Sequence, residues 1–455
     1  MIRAPISLSS WIFLLIALLT ILEAFVPSET LILTTSVLIA VFIAIEFRSL
    51  QNFHRISAGA LLAIGTICAV FSEDWIHVLL DGFARSRPFL VLFFAVLWLQ
   101  YPVGRSHALQ AVRAAIINQP PGRRFIYLTG GAHFLGSTLN LAGLSLLSTI
   151  VEENKSTELR KRLSVALIQG FSSASCWSPF YVGMVVVLVA LPSLEWWDLA
   201  PKAFFIAILL MSGSWMLDKF TRQNARASST SRGNPQFPRV ETLQSIYIIL
   251  SLIAIVMTLV EWVDITIPIA LGLVSPLFAL IWLVSERFRP EAVFRRSQDL
   301  CVNTLSRLPS LRNETLIFVA ANIFGVGIAS LIPPDSVSQL VNALVPSPDI
   351  KIIILCFTFI FCGMAGIHPV VIVILISAIL PPQAIGLSDK IVGLTYLCTW
   401  GLSTMVSPIS ATTLFMSRAA EVTPHKIGWI WMSPNAILGG GIVSVIIVLL
   451  RNSGF

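Results

Sequence analysis

Phe171-Ser-Ser-Ala-Ser-Cys-Trp-Ser-Pro-Phe180 and Trp400-Gly-Leu-Ser-Thr-Met-Val-Ser-Pro-Ile-Ser-Ala-Thr-Thr413 each lie in the middle of a long apolar segment. An uninterrupted helix would be expected at both places. Each stretch is instead rich in hydroxyls and carries a Ser-Pro step, Ser178-Pro179 and Ser407-Pro408. Proline removes a helix hydrogen bond and clashes with the preceding turn. In a bilayer the freed backbone groups cannot face lipid, so a break must be buried in protein or line a wet cavity. Hydroxyls beside the break can satisfy that backbone or bind a ligand.

The surrounding composition places these breaks in a membrane. The chain has 455 residues, 56% of them hydrophobic and 12% charged, with a mean hydropathy of +0.85. Soluble domains carry about twice that charged fraction. Apolar windows of about 17–25 residues recur, which predicts a polytopic all-α membrane protein. The runs are continuous rather than alternating, which favours helices over a barrel. The net charge of +7 is not a nucleic-acid signature here, because basic excess in membrane proteins marks cytoplasmic loops. Six scattered cysteines show no zinc or disulfide spacing. The apolar run from Trp11 to Phe25 lacks a small-x-small cleavage site and reads as a retained first span.

In chain order, spans are predicted near 9–25, 31–46, 57–72 and 87–102, followed by a basic stretch at 103–124. The apolar segment 125–150 is interrupted by Gly130-Gly131, Gly136, Asn140 and Gly143; it reads as a straight span or as a hairpin that enters and returns. The span 163–191 holds the first break, and 199–217 follows. A polar linker at 218–242 divides the halves. The second half repeats the order: spans at 243–260 and 265–284, a basic loop at 285–312 and a span at 313–331. Next come an interrupted segment at 351–380, the broken span 391–416 and a last span at 427–450. Ser178-Pro179 and Ser407-Pro408 are 229 residues apart, and Gly136 and Gly366 are 230 apart, which argues for an internal repeat.

Charge decides between the two readings of 125–150. With both interrupted segments as re-entrant hairpins and the N-terminus inside, 24 of the 30 Lys and Arg fall on the cytoplasmic side. A full crossing at 125–150 would put the basic stretches at 105–124 and 155–162 on opposite sides. The hairpin reading therefore fits the positive-inside rule better. It gives about 11 transmembrane helices plus two re-entrant hairpins in an inverted repeat. The domain layout is an extra N-terminal span (1–30), a first repeat (31–217), the linker and a second repeat (243–451). The C-terminus lies outside, and the expected location is a bacterial inner membrane.

Span, hairpin, broken span and span, repeated with inverted topology, resembles the ion transporter superfamily. That group holds divalent-anion/sodium symporters, arsenite-type permeases and the large membrane subunit of tripartite ATP-independent periplasmic transporters. The first tip, Gly136-Ser137-Thr138-Leu139-Asn140, is close in composition to the symporters' Ser-Asn-Thr signature; the second, Gly366-Ile367-His368-Pro369, departs from it. Val406-Ser-Pro-Ile-Ser-Ala-Thr-Thr-Leu414 is similar to the family's Pro-containing unwound segment. The resemblance implies a homodimeric elevator, with a scaffold of early spans from each half and a transport domain of hairpins and broken helices.

Half-helix N-termini at breaks and tips favour an anionic group, and half-helix C-termini offer carbonyls to Na⁺. The candidate substrate ligands are Ser137, Thr138, Asn140, Ser175, Ser178, His368, Ser407, Ser410 and Thr412; candidate ion-coupling residues are Ser173, Ser403, Thr404 and His368. Ser172 and Thr413 are further hydroxyls in the same stretches. A lone Ser or Thr in a membrane helix equally often packs or bonds back to its own helix. No Asp or Glu sits in these stretches, which argues against a cationic substrate. His133 and His368 could carry protons or could be neutral residues shaping the tips. Asn322 reads as interhelical glue, and Glu23 and Asp218 as interfacial. The expectation is a secondary transporter of a small anion, an organic carboxylate by preference, coupled to Na⁺ or H⁺. No cofactor is expected beyond Na⁺ as coupling ion; the expected partners are the anion, the bilayer and a second copy, with no nucleic acid. Two alternatives stand beside it: the membrane subunit of a tripartite system served by a soluble binding protein, and an integral membrane transferase using His133 or His368. The outside loops are short and weakly charged, which weighs against the transferase.

Overall fold

The computed structural model describes residues 6–222, 238–286 and 290–455. Most of the expected linker, together with Arg3, Arg287 and Arg289, lies outside the described residues. Every regular element among the described residues is a helix. The first half runs α1 (Leu8–Glu23), α2 (Glu29–Glu46), α3 (Asn52–Val70), α4 (Trp75–Val103), α5 (His107–Ile117), α6 (Pro121–Leu139), α7 (Leu141–Glu152), α8 (Thr157–Ala174), α9 (Val182–Ala190) and α10 (Trp196–Arg222). The second runs α11 (Arg239–Val263), α12 (Ile267–Ser285), α13 (Pro290–Arg307), α14 (Arg312–Ala329), α15 (Pro334–Leu344), α16 (Pro348–Met364), α17 (Pro369–Ile379), α18 (Asp389–Val406), α19 (Ala411–Ala420) and α20 (Ser433–Asn452).

Eight stretches among the described residues are long and apolar enough to cross a membrane. They are α2–α4, α10–α12, the run from α13 into α14, and α20 with the π-helical turn before it. The other three expected spans are the 16-residue α1 and the two broken pairs α8/α9 and α18/α19, in which α9 and α19 are short and the 18-residue α8 and α18 begin with charged residues and hold polar ones. The segment 285–312 differs from expectation. From Pro290 it forms a helix rather than a loop, because Leu300 and Thr304 give it a buried stripe while its arginines stay on other faces.

The two halves repeat at the level of helix length. From α5 to α10 the lengths are 11, 19, 12, 18, 9 and 27 residues. From α15 to the end of α20 they are 11, 17, 11, 18, 10 and, counting the π turn, 27. The paired helices α8 and α18 both start on a serine cap, Ser156 and Ser388, with an acid in the first turn, Glu158 and Asp389. Each cap accepts a hydrogen bond from a backbone N–H three residues on, at 3.4 and 3.3 Å.

The described residues form two compact units, and each draws on both halves. The first comprises residues up to Ser106, Ile248–Val337 and Ile374–Pro381; the second comprises His107–Tyr247, Ser338–Val373 and Pro382–Phe455. In the first, α4 is central, packed on α12 and α14. Phe318 of α14 lies against Phe89 and Phe93 of α4, ring centroids 5.0 and 5.2 Å apart. Each such pair adds about 0.5–1.5 kcal/mol beyond its area. Helices α3 and α14 approach at Gly65 and Gly327, where an added Cβ would strike the facing backbone. Small residues at such crossings are how membrane helices pack without a hydrophobic drive. Asn322, expected as interhelical glue, makes its one hydrogen bond among the described residues within its own helix, Nδ2 donating to Phe318 O at 2.8 Å.

In the second unit α6 and α7 pack on each other and on α8, while α18 packs on α8, α16 and α20. Arg162 of α8 makes a two-bond pair with Asp218 of α10, 2.7 and 3.0 Å, with both side chains 12% exposed. The planar guanidinium fork matches the carboxylate, so this pair fixes α8 against α10 better than a single surface bridge would.

Candidate functional site

The first interrupted segment is a helical hairpin. Asn140, with φ 51° and ψ −137°, is the one residue between α6 and α7. An added Cβ on Gly143 would meet Leu135 O and Gly136 N, so the chain doubles back immediately after the tip. That conformation, at positive φ but outside the left-handed helical well, is one that glycine adopts most easily; in Asn140 the side chain supports it, its Oδ1 accepting from Leu141 N–H at 2.9 Å. The second interrupted segment turns by different chemistry. Ile367 N–H donates to Cys362 O (2.8 Å) and Gly366 N–H to Gly363 O (2.9 Å), with Gly366 at φ +85°. This is a Schellman stop. Pro369 then starts α17, and His368 Nδ1 accepts from Val370 N–H at 3.2 Å. Helix α16 packs on α18 and α20.

At the first break the side chains serve the backbone. Ser178 Oγ donates to the Ser137 carbonyl at the hairpin tip and accepts from Phe180 N–H (3.2 Å). Tyr181 O–H donates to Phe171 O (3.0 Å), and Trp196 Nε1–H donates to Trp177 O (2.7 Å). Ser175 Oγ donates to Ser172 O (2.7 Å). The carbonyls that the broken helix releases are thus met by neighbouring side chains, as an interior without water requires.

His133 is bound on both nitrogens. Trp177 Nε1–H donates to Nε2 (3.1 Å); indole is only a donor, so Nε2 is bare. Ser173 Oγ donates to Gly170 O (2.9 Å) and therefore accepts from His133 Nδ1–H (3.0 Å). The tautomer follows from these partners. The ring is neutral and joins α6 to α8, with no nitrogen left for a ligand.

The second break has a different inventory. Where the first reads Ser178-Pro-Phe-Tyr-Val-Gly-Met184, the second reads Ser407-Pro-Ile-Ser-Ala-Thr-Thr413. Ser410 Oγ caps α19, accepting from Thr413 N–H (3.2 Å), and lies 2.9 Å from Thr413 Oγ1. Thr413 Oγ1 also bonds the Ser407 carbonyl. Thr404 Oγ1 donates to Gly401 O (3.0 Å). The hydroxyls of Ser407 and Thr412 have no hydrogen-bond partner among the described residues, although both side chains are buried.

The two breaks come together in this unit. An added Cβ on Gly401 would strike Ser172 O and approach Ser175 Oγ. Gly183, at the start of α9, faces the Trp400 ring, and His368 stands edge-on to the same ring at 5.8 Å. Ser403 borders Gly363 of α16. Three candidate-stretch hydroxyls, Thr138, Ser172 and Ser403, are buried without a partner. The structure therefore gathers Ser137 with Ser178, Ser175 with Gly401, and Ser407 with Ser410 and Thr413. Asn140, Ser173, Ser175 and Ser178 each make a hydrogen bond within the fold. The sequence reading missed Gln169 and Thr129, also buried with an unpartnered oxygen. Gln169 lies three and four residues before Ser172 and Ser173, on their face of α8; its only signal was an amide inside an apolar span.

Paired interrupted helices, repeated and joined to a hairpin tip, define a class: membrane carriers that bind ligands at helix breaks. The sequence profile of the tripartite ATP-independent periplasmic transporter, DctM component, matches residues 141–448, from just past the first tip through both breaks. The chain belongs to that family, and its function is that of a transporter's membrane component. No curated protein matches it. Among solved structures it resembles the YdaH transporter of Alcanivorax borkumensis, with TM-score 0.56, 11% identity, 89% of this chain and 98% of that one covered. It also resembles MtrF of Neisseria gonorrhoeae, representing a class of antimetabolite efflux pumps, with TM-score 0.53, 11% identity, and 82% and 83% covered. At that identity the likeness is one of fold.

Proposed function

We propose that the chain carries a small anion, an organic carboxylate by preference, on the second broken helix. The observation that carries this is the contrast between equivalent serines: Ser178 is consumed by the first tip, whereas Ser407, which closes α18, and Thr412, in the first turn of α19, have unpartnered hydroxyls among the described residues. The N–H groups of the first helical turn and its positive dipole end add an attraction of about 0.3–1 kcal/mol, more when buried. No carboxylate lies in either broken stretch to oppose it. Ser403, buried and unpartnered, is the proposed hydroxyl ligand for a coupling Na⁺, with carbonyls at the end of α18; Ser173 and Thr404 donate elsewhere but keep acceptor lone pairs. The split into two units, each drawing on both halves, supports an elevator in which the second unit carries the cargo; a homodimer in an inner membrane, with the N-terminus inside, completes the proposal. A transferase use of His133 is disfavoured, because both its nitrogens are engaged.

Family membership favours a second reading, in which this carrier receives its anion from a soluble binding protein and works beside a small membrane partner. Uptake by the chain alone in proteoliposomes separates the two. Accumulation under a Na⁺ or pH gradient supports the stand-alone carrier; exchange without accumulation supports the assembly; neither, across a carboxylate panel, defeats the anion assignment.

A further inference from the structure

A separate cavity of about 300 Å³ lies in the first unit, lined by residues of α1, α4 and the α11–α12 turn, among them Thr20, Glu23, Arg87, Pro88, Asp264 and Thr266. It is roughly ten times the volume that one water occupies. The chain builds it in a specific way. Pro88 has no N–H to give Ala84 O, and Arg87 Nε takes that carbonyl at 3.1 Å. This aims the guanidinium at the cavity while leaving the side chain only 10% exposed. Arg87 Nη1 forms an ion pair with Glu23 Oε2 at 3.3 Å but is buried without a well-aligned hydrogen-bond acceptor. Among the described residues neither Nη donates a hydrogen bond. Glu23 balances the charge, but a buried N–H without an aligned acceptor is costly, which points to a further acceptor in the cavity.

We propose that the cavity seats the headgroup of a zwitterionic amino-phospholipid, with the phosphate on Arg87 and the primary ammonium on Glu23 and Asp264. A guanidinium fork matches phosphate oxygens. The charge count selects the headgroup: one cation and two carboxylates repel a purely anionic one, whereas an ammonium-bearing phosphate satisfies all three. A lipid, rather than a soluble amino-phosphate, is indicated by the exposed apolar chain flanking the lining residues. Leu22, Phe25 and Val26 surround Glu23, and Trp262, 85% exposed, with Val263 precedes Asp264. Tryptophan at this place is the mark of a membrane interface.

The test is native mass spectrometry of the full chain in detergent, titrated separately with phosphatidylethanolamine, phosphatidylcholine and phosphatidylglycerol. The wild type is expected to retain one phosphatidylethanolamine about tenfold more tightly than the other two, the equivalent of a charge-assisted hydrogen bond. Arg87→Gln should lose that adduct. Glu23→Gln should keep lipid binding and lose the preference for the ethanolamine. The double variant Glu23→Gln/Arg87→Gln removes both members of the buried ion pair together, leaving only the exposed Asp264 charged, so it guards against misfolding, and it should also lose the adduct. Equal retention of the three lipids, or an adduct unchanged in folded Arg87→Gln, overturns the proposal. Displacement of the lipid by equimolar soluble phosphoethanolamine overturns the lipid as the source.

Discussion

Ser178 and Ser407 hold equivalent places before Pro179 and Pro408, yet their hydroxyls have different tasks. Ser178 joins a break to a hairpin tip. Its replacement by alanine leaves the buried Ser137 carbonyl short of a donor, at a cost of about 1–3 kcal/mol. Ser178→Ala should therefore lower the melting temperature, measured by tryptophan fluorescence in detergent. Ser407→Ala removes a hydroxyl that no protein group uses, so stability should move by less than about 0.5 kcal/mol. Transport should suffer instead, with KM for the anion rising about tenfold, as expected for one hydrogen bond to a charged ligand. His368 presents a similar choice. Its Nδ1 caps α17, a bond that a protonated ring would forfeit. His368→Gln, whose Oε1 can replace that acceptor, should keep gradient-driven accumulation. Loss of pH-driven accumulation with exchange intact would return the coupling role to the histidine.

The sequence identified the hydroxyls but not their roles, because a role depends on partners far along the chain. The His133 partners lie 40 and 44 residues away, and the Ser178 partner lies 41 residues away on another helix. Local pattern carries no such information. Likewise the sequence placed Gln169 inside an apolar span without showing that its carbonyl oxygen would be unpartnered.

At the scale of elements, both helix breaks were legible, since Ser-Pro in an apolar run has few other meanings. Charge predicts a returning segment, because only such a segment keeps its flanking arginines on one side; α6 and α7 do double back at Asn140, and the membrane face they return to is a matter for labelling. Cysteines placed singly at 105–115 and 155–160 should label only from the cytoplasmic face of right-side-out vesicles opened on demand; labelling from opposite faces would replace the hairpin with a full span. The tip makes a sharper prediction. Asn140→Gly should be tolerated, whereas Asn140→Val, β-branched at positive φ, should cost about 1–2 kcal/mol in thermal stability. The sequence predicts a loop where α13 stands because arginines dominate its composition, while its buried stripe rests on few residues. Charge density hid the 3.6-residue period.

At the scale of the molecule, linear reading divides the chain into two halves, and the fold sorts the same halves into two mixed units. Spans near the start of each half gather in one unit, hairpin and broken helices in the other. Closely matched helix lengths from α5 to α10 and from α15 to α20, counting the π turn with α20, accord with a repeat whose sequence identity has faded. The central claim is that the second break binds a small anion for transport. Its most direct test is radiolabelled carboxylate uptake by proteoliposomes, with Na⁺ and pH gradients imposed separately, comparing wild type with Ser407→Ala. The account predicts that one gradient drives accumulation in the wild type and that the variant, equally folded, needs about tenfold more substrate for the same rate. Wild-type kinetics in Ser407→Ala, or no gradient-dependent uptake or exchange of any carboxylate by the wild type, would contradict it.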